Sequence, residues 1–392
     1  MVTKRNRRYG WLCVMALLVG ALTIVGCGGG SSSSSSSSET TGGGSPESKA
    51  PEESGGGSEL IAEAEKVVEE HMGTPKLGIT QPVEKPIPSG KTVDFVTCAP
   101  AACLEQPEAF EEAAAVLGWK AKTVVAGTSP EELQNAMQQT ITDKADGVIY
   151  SGLPESIISR QLAQLKEEKV PVVGIGVTSP ENNPPSFMNL PGGSHYEEVG
   201  EEGGALAASN IEPGSNVLML NFPELPVYTE EYVPALEEGL MHFCPTCTTE
   251  GLDIKLTAVG KSAPAEIVGY LQGHTDIDAV YAPSENMFIG LPAALKGASI
   301  NNVKLFGMYP VAATLPYIAA EEVLGTVQVS YPETAWIAAD AFVRAFTGEN
   351  PEISVEAGTP TKILTAANLT STSELAPALP NYKEEFEKLW GK

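Results

Sequence analysis

Residues 91–150 read KTVDFVTCAPAACLEQPEAFEEAAAVLGWKAKTVVAGTSPEELQNAMQQTITDKADGVIY, and the rhythm of this stretch decides the fold class. Thr92 to Thr97 is a short apolar run of the kind that forms a strand buried on both faces. Glu105 to Leu117 carries its apolar residues at helical spacing, and Lys122 to Val125 returns to strand. Ser129 and Pro130 predict a helix start, with the helix running to Lys144. A serine hydroxyl accepts a bond from an N–H in the first turn, and proline at the first helical position gives up a donor that has no partner there. Gly147 to Tyr150 predicts a third strand. Strands alternating with amphipathic helices specify a parallel sheet covered on both sides.

Toward the C-terminus the alternation continues with a helix over Glu155 to Glu168 and strands over Val170 to Ile175 and Ser186 to Leu190. A second series repeats it. Its expected strands are Asn216 to Leu220, Asp253 to Ala258, Ala279 to Ala282, Lys304 to Phe306 and Thr326 to Val329, and its helices begin near His195, Tyr228, Pro264, Glu285, Val311 and Pro332. A chain of 392 residues exceeds what one core usually supports, so two α/β lobes are expected. Ligands of open parallel sheets bind beyond the carboxyl ends of the strands. The residues to watch are therefore those after each strand: Cys98 to Cys103, Ser151 to Pro154, Gly176 to Thr178, Asn221 to Glu224, Pro283 to Asn286 and Met308 to Pro310.

Toward the N-terminus, Glu59 to Met72 predicts a short amphipathic helix, followed by a Pro-rich connector to Ser89. Before it lies a Gly/Ser/Glu-rich stretch to Ser58, including serines from Ser31 to Ser38, with too little apolar surface to offset the entropy of ordering; it is expected to be a tether. Lys4 to Arg8 is basic, Trp11 to Val25 is apolar, and Ile24-Val25-Gly26-Cys27 resembles a bacterial lipobox. A signal peptide over 1–26 and acylation of Cys27 are the expectation, placing the chain on the extracytoplasmic side of a membrane. Cleavage there removes Lys4, Arg5, Arg7 and Arg8 from the 24 basic residues, leaving 20 against 50 acidic ones, or −30. Such a charge argues against a nucleic-acid partner.

With Cys13 removed and Cys27 acylated, Cys98, Cys103, Cys244 and Cys247 remain, in two close pairs. Export favours disulfides Cys98–Cys103 and Cys244–Cys247. The spacing of Cys244 and Cys247 also fits a thiol–disulfide redox lipoprotein.

The runs Phe110 to Trp119, Ala145 to Ile149 and Val170 to Val173, with Asp278 to Gly290 and Lys304 to Gly307 later, resemble the type I periplasmic binding proteins related to ribose- and galactose-binding proteins. The resemblance spans about Lys91 to Pro351. It implies two Rossmann-like lobes, each a parallel sheet flanked by helices, joined by a three-segment hinge that closes over a ligand. Lobe 1 would comprise 91–188 and 331–350, lobe 2 would comprise 189–330 and 351–368, residues 59–90 would be a helix and connector, and 369–392 a tail. It further implies no enzyme activity and no cofactor, a small-molecule ligand, sugar or sugar-like by family habit, ABC permease subunits as partners, and a monomer. A ligand-sensing lipoprotein that feeds a membrane receptor would share the same fold.

Several ligand positions depart from the family pattern. An Asp-Arg pair is replaced by Gly176 and Val177, an Asn-Asp pair by Ser284 and Glu285, and an Asp by Tyr309. No arginine occurs between Arg160 and Arg344, which disfavours anions, because bidentate clamping of carboxylate or phosphate is chiefly arginine chemistry. The candidate ligand-binding residues are Pro100, Ser151, Gly152, Gly176, Val177, Phe222, Glu224, Ser284, Glu285, Tyr309 and Tyr331, with Pro223, Tyr228, Met287, Phe288 and Trp336 as further aromatic or apolar candidates. Together they suit a neutral, partly apolar or aromatic metabolite as well as a sugar. No nucleophile elbow, phosphate-binding loop, His-Glu-x-x-His or calcium loop is present in the sequence, and no metal site is expected.

Overall fold

The computed structural model describes residues 56–97, 104–126, 129–152, 155–178, 184 and 186–392. The signal sequence, Cys27, the tether before residue 56, Pro100 and the Cys98–Cys103 pair lie outside the described residues.

The chain begins with α1 (Gly56–His71), then alternates through β1 (Thr92–Thr97), α2 (Glu105–Leu117), β2 (Lys120–Val125), α3 (Pro130–Thr142), β3 (Gly147–Ser151), α4 (Glu155–Glu167), β4 (Val172–Ile175) and β5 (Phe187–Leu190). The strands form one parallel sheet in the order β2-β1-β3-β4-β5. Val93, Phe95 and Val96 on β1 are buried, so this central strand faces protein on both sides. The α3 start is built as its sequence demands: the Ser129 hydroxyl accepts from the Glu132 N–H, and the Glu132 carboxylate accepts from the Ser129 N–H.

The second series is α5 (His195–Ala208), β6 (Asn216–Asn221), a wide helical turn at Tyr228–Tyr232 leading into α6 (Val233–Phe243), β7 (Thr248–Asp253), α7 (Ala263–Gly273), β8 (Ile277–Ala282), a tight turn at Glu285–Phe288, α8 (Leu291–Gly297), β9 (Lys304–Met308), α9 (Leu315–Ala319) and β10 (Gly325–Val329). After it come α10 (Tyr331–Thr347), α11 (Glu352–Glu356), β11 (Thr361–Leu364) and α12 (Tyr382–Trp390). The second sheet runs β11-β10-β9-β8-β6-β7, parallel except for β11. Read from β7 to β10, it repeats the order of the first sheet. Helices α5 and α6 cross closely at small residues, where a Cβ on Gly239 would run into the Gly200 carbonyl.

The two lobes are joined at residues 191–194, 330 and 357–360, between β5 and α5, β10 and α10, and α11 and β11. These crossings touch. Thr334 and Thr359 hydroxyls are 3.1 Å apart, and Gly193, with φ +64°, packs against the Glu356 carbonyl where a side chain would not fit.

Two expectations are corrected here. The strand expected over Asp253 to Ala258 lies earlier, at Thr248–Asp253, and Leu256–Ala258 is a single helical turn. The 369–392 stretch, expected as a tail, ends in α12, whose Trp390 stacks on Trp336 of α10 at 5.5 Å.

Candidate functional site

Both sheets reverse strand order beside their first strand, between β1 and β3 and between β6 and β8. At such a switch point the adjoining loops leave in opposite directions, opening a crevice beyond the strand tips. From lobe 1, the start of α2 supplies Glu105 and Gln106, and the Ser151 hydroxyl at the end of β3 donates to the Gln106 side-chain oxygen at 2.8 Å. From lobe 2 come Phe222 after β6, Tyr228 and Tyr232 on the turn that follows, Ser284 after β8 and Tyr309 after β9. Tyr331 sits immediately after the crossing at residue 330.

The rings of this set meet in an unbroken chain. Tyr331 stacks on Tyr309 at 4.9 Å, Tyr309 meets Tyr232 edge-on at 5.7 Å, and Tyr232 meets Tyr196 at 4.8 Å and Tyr228 at 5.6 Å. Phe222 closes against Tyr228 at 5.4 Å. Tyr232 and Tyr309 share a hydroxyl–hydroxyl bond of 2.7 Å, and the Tyr228 hydroxyl is within hydrogen-bond reach of Tyr331 and Ser284. Burial pushes the Tyr228 phenol up to about 12 and those of Tyr232, Tyr309 and Tyr331 well above their ordinary value. All therefore stay uncharged at neutral pH. Burial drives His195 down to about 4, so its ring, edge-on to Tyr232, is neutral as well.

Glu105 lies within electrostatic reach of Tyr331, and Glu231 within reach of Tyr196. Tyr331 opens α10, which packs in lobe 1, and stacks on Tyr309 of lobe 2, so it sits where the two lobes meet. Tyr309 holds φ +52°, a left-handed backbone costing a non-glycine residue about 1–2 kcal/mol. Its N–H donates to the Val327 carbonyl, and its hydroxyl is held by Tyr232. Conformational strain held in this way at a strand tip is characteristic of ligand-contacting positions.

Of the residues expected from sequence, Ser151, Phe222, Ser284, Tyr309 and Tyr331 belong to this assembly, together with Tyr228. Gly152 and Gly176 stand at the tips of β3 and β4 with φ +65° and +61°, and their N–H groups donate to Ile175 and Leu190 carbonyls, so they tie strand ends together. Glu224 is exposed on the loop after β6. Val177 and Glu285 are corrections. Val177 turns back into lobe 1 and fills the space above Gly174. Glu285 turns back against Gly307, accepts a hydrogen bond from the Thr314 hydroxyl and lies beside Thr326, away from the strand tips. Met287, Phe288 and Trp336 are core; Phe222, Tyr228, Tyr232, Ser284 and Tyr309 are buried as well, so Tyr196 and Tyr331 are the partly exposed rings of the assembly.

Sequence reasoning missed Glu105, Gln106, His195, Tyr196, Tyr232 and Glu231. The signal for one of them was present: Tyr228 and Tyr232 are four apart and share a helical face. Cys244 and Cys247 form a disulfide at the end of α6, where both are buried, and this placement counts against redox exchange, which needs an accessible thiol. No described helix is long and apolar enough to cross a membrane, and among the described residues there is no group of metal-ligating side chains.

Residues 105–350 match the periplasmic binding protein domain family. A comparison with curated protein sequences returns no match. Similar solved structures include GanP, a glucose-galactose binding protein from Geobacillus stearothermophilus, at 17% identity and TM-score 0.61, covering 72% of this chain and all of that one. A periplasmic ribose ABC transporter protein from Conexibacter woesei gives 19% and 0.60, over 73% and 95% of the two chains. A solute-binding protein from Mycobacterium smegmatis with bound glycerol gives 18% and 0.61, over 73% and 100%. With two α/β lobes joined by three crossings and a family match across most of both, the chain belongs to the type I periplasmic binding proteins, a family of extracytoplasmic solute-binding proteins.

Proposed function

We propose that this chain captures one small molecule between its lobes, against the tyrosine wall, and delivers it to an ABC permease while acylated Cys27 holds it at the membrane. The observation that supports this reading is the position of Tyr331. It follows a crossing segment, opens α10 on the lobe 1 side and stacks on Tyr309 of lobe 2, so it lies at the junction of the two lobes. Binding energy gained there favours the closed arrangement, because only closure brings both lobes onto the same molecule. One similar structure is a glucose-galactose binding protein and another holds glycerol, and a carbohydrate-like solute is the reading that agrees with them.

The test is a thermal-shift screen of the purified chain against sugars, polyols, amines and aromatic acids. A ligand bound by the folded state alone raises the melting temperature by an amount that grows with the logarithm of its concentration. The expected result is a concentration-dependent rise of several degrees for one chemical group. A flat response across all four groups would contradict the capture role, and a response to anionic compounds alone would contradict the argument from missing arginine.

A further inference from the structure

After its three crossings the chain passes between the lobes once more. β11 pairs with β10 in lobe 2, and Leu369 and Leu375 pack on the lobe 2 core, whereas Leu379 and the α12 residues Tyr382, Phe386 and Trp390 are buried with α10 in the lobe 1 core. The step from one lobe to the other is short. The Gln328 side-chain amide on β10 donates to the Ala376 carbonyl at 2.6 Å. The Glu333 carboxylate, in the first turn of α10, accepts from the Ala378 N–H at 3.2 Å and from the Leu379 N–H at 2.7 Å. Only Pro377 stands between a residue held from lobe 2 and one held from lobe 1.

These two grips flank a hinge segment. Gln328 and Glu333 lie on either side of the crossing at residue 330, and the Glu333 carboxylate is also within hydrogen-bond reach of the Ser330 hydroxyl. Gln328 and Glu333 are each 1% exposed, and a polar group so buried has no water to replace a lost partner, so the bonds persist in the folded chain. The link between the grips cannot stretch: two peptide steps reach at most about 7 Å, and the proline ring fixes one of the backbone angles. One covalent crossing lets the lobes swivel about its φ and ψ. A second short link beside it removes that freedom, and the lobes then move only in ways that keep both grips at the same separation.

Resting on the hinge motion that capture between the lobes requires, we propose that residues 376–379 are a fourth, latched crossing that narrows the range of angles between the lobes, gripped by Gln328 from lobe 2 and by Glu333 from lobe 1. The three crossings set the hinge axis, and the latch limits the travel about it. The C-terminal helix belongs to the hinge as well, because its packing on Trp336 of α10 holds the far end of the strap in place.

The test is the interlobe distance of the ligand-free chain, read by pulsed electron resonance between spin labels at Glu131 of lobe 1 and Ala265 of lobe 2, both exposed. In one variant two glycines are inserted between the exposed Ala376 and the half-buried Pro377. They add up to about 7 Å of reach and leave every bond and both docked ends as they are. The distance distribution is expected to widen about twofold, as a flexible linker replaces a stiff one, with an unchanged melting profile. Gln328→Met, which removes the lobe 2 grip and fills the same space, should widen it too. An unchanged width in both folded variants overturns the latch and leaves capture between the lobes to the thermal screen. Widening in Gln328→Met beside an unchanged width in the folded insertion variant also overturns it, because the disturbance then lies in β10 and not in the length of the strap. Where the insertion prevents folding, the methionine variant alone decides.

Discussion

Replacing Asp340 by alanine is expected to lower the folding stability by about 3–5 kcal/mol, the loss typical of removing one member of a buried ion pair. Arg344 and Asp340 lie one helical turn apart on α10 and are 1% and 0% exposed. The Arg344 Nε donates to Asp340 Oδ2 at 2.7 Å, and its Nη2 donates to the Gln81 carbonyl at 2.6 Å. Asp340 also accepts from the Trp390 indole at 2.8 Å and the Ser354 hydroxyl at 2.7 Å. The pair thus fastens three segments to α10, Arg344 holding the connector before β1 and Asp340 holding α11 and the C-terminal helix. Loss of Asp340 leaves the buried guanidinium with only Glu349, at 3.8 Å, as counter-charge, and leaves the Trp390 and Ser354 donors without their acceptor. Urea unfolding of the Asp340→Ala variant measures the effect. The double variant Asp340→Leu with Arg344→Met should recover part of the loss, because the buried guanidinium is gone while the Trp390 and Ser354 donors stay unpaired. A loss below about 1 kcal/mol for the single variant would show that the pair is not buried as described.

The second large effect depends on pH. Burial pushes the Glu285 carboxyl up to about 7, from an ordinary value of 4.5. Below the lower value it is protonated in both folded and unfolded chains. As pH rises from about 4.5 the unfolded chain ionises first, and the folded state loses stability until pH passes about 7. Glutamine has the same shape and can still accept from the Thr314 hydroxyl. At pH 8 Glu285→Gln is therefore expected to exceed the parent in stability by about 2–3 kcal/mol, with the difference gone by about pH 4. Denaturant titrations of both proteins at the two pH values check this. A Gln variant less stable than the parent at pH 8 would mean that the carboxylate is ionised and satisfied in the fold. Glu202 and Glu333, also raised to about 7 by burial, remain in both proteins, so the difference between them isolates Glu285.

The element order was legible because buried parallel strands are short apolar runs and their helices are amphipathic; β1, α2 and the capped start of α3 stand where their residues required. β7 was misplaced because it is an edge strand. Thr248 to Asp253 is largely polar, as an edge facing solvent permits, and the apolar residues that drew attention, Ile254 and Leu256, follow it. Within the site, the errors share one physical cause. Val177 and Glu285 follow strands, as ligand-facing residues do, but each turns back over a strand glycine, Gly174 or Gly307, whose missing side chain leaves a space that the loop residue fills. A glycine inside a strand marks close approach by another group, and Gly147 receives the Phe342 ring in the same way. Tyr309 and Tyr331 lack such a vacancy beneath them and stay at the strand tips. Tyr196 and Glu105 escaped notice because they open helices, where a single sequence does not distinguish a residue aimed at the crevice from one aimed at solvent.

Gating by hinge closure is the claim on which the functional reading rests, and an interlobe distance tests it most directly. Glu131 at the start of α3 and Ala265 at the start of α7 are exposed, one on each lobe, and both follow edge strands far from the crossings. Nitroxides attached there through ketone-bearing residues, leaving the native cysteines unaltered, report the separation by pulsed electron resonance. Saturation with whichever compound raises the melting temperature should collapse the distance distribution to a single, shorter peak. An unchanged distribution with that compound bound would mean that the lobes do not close over it.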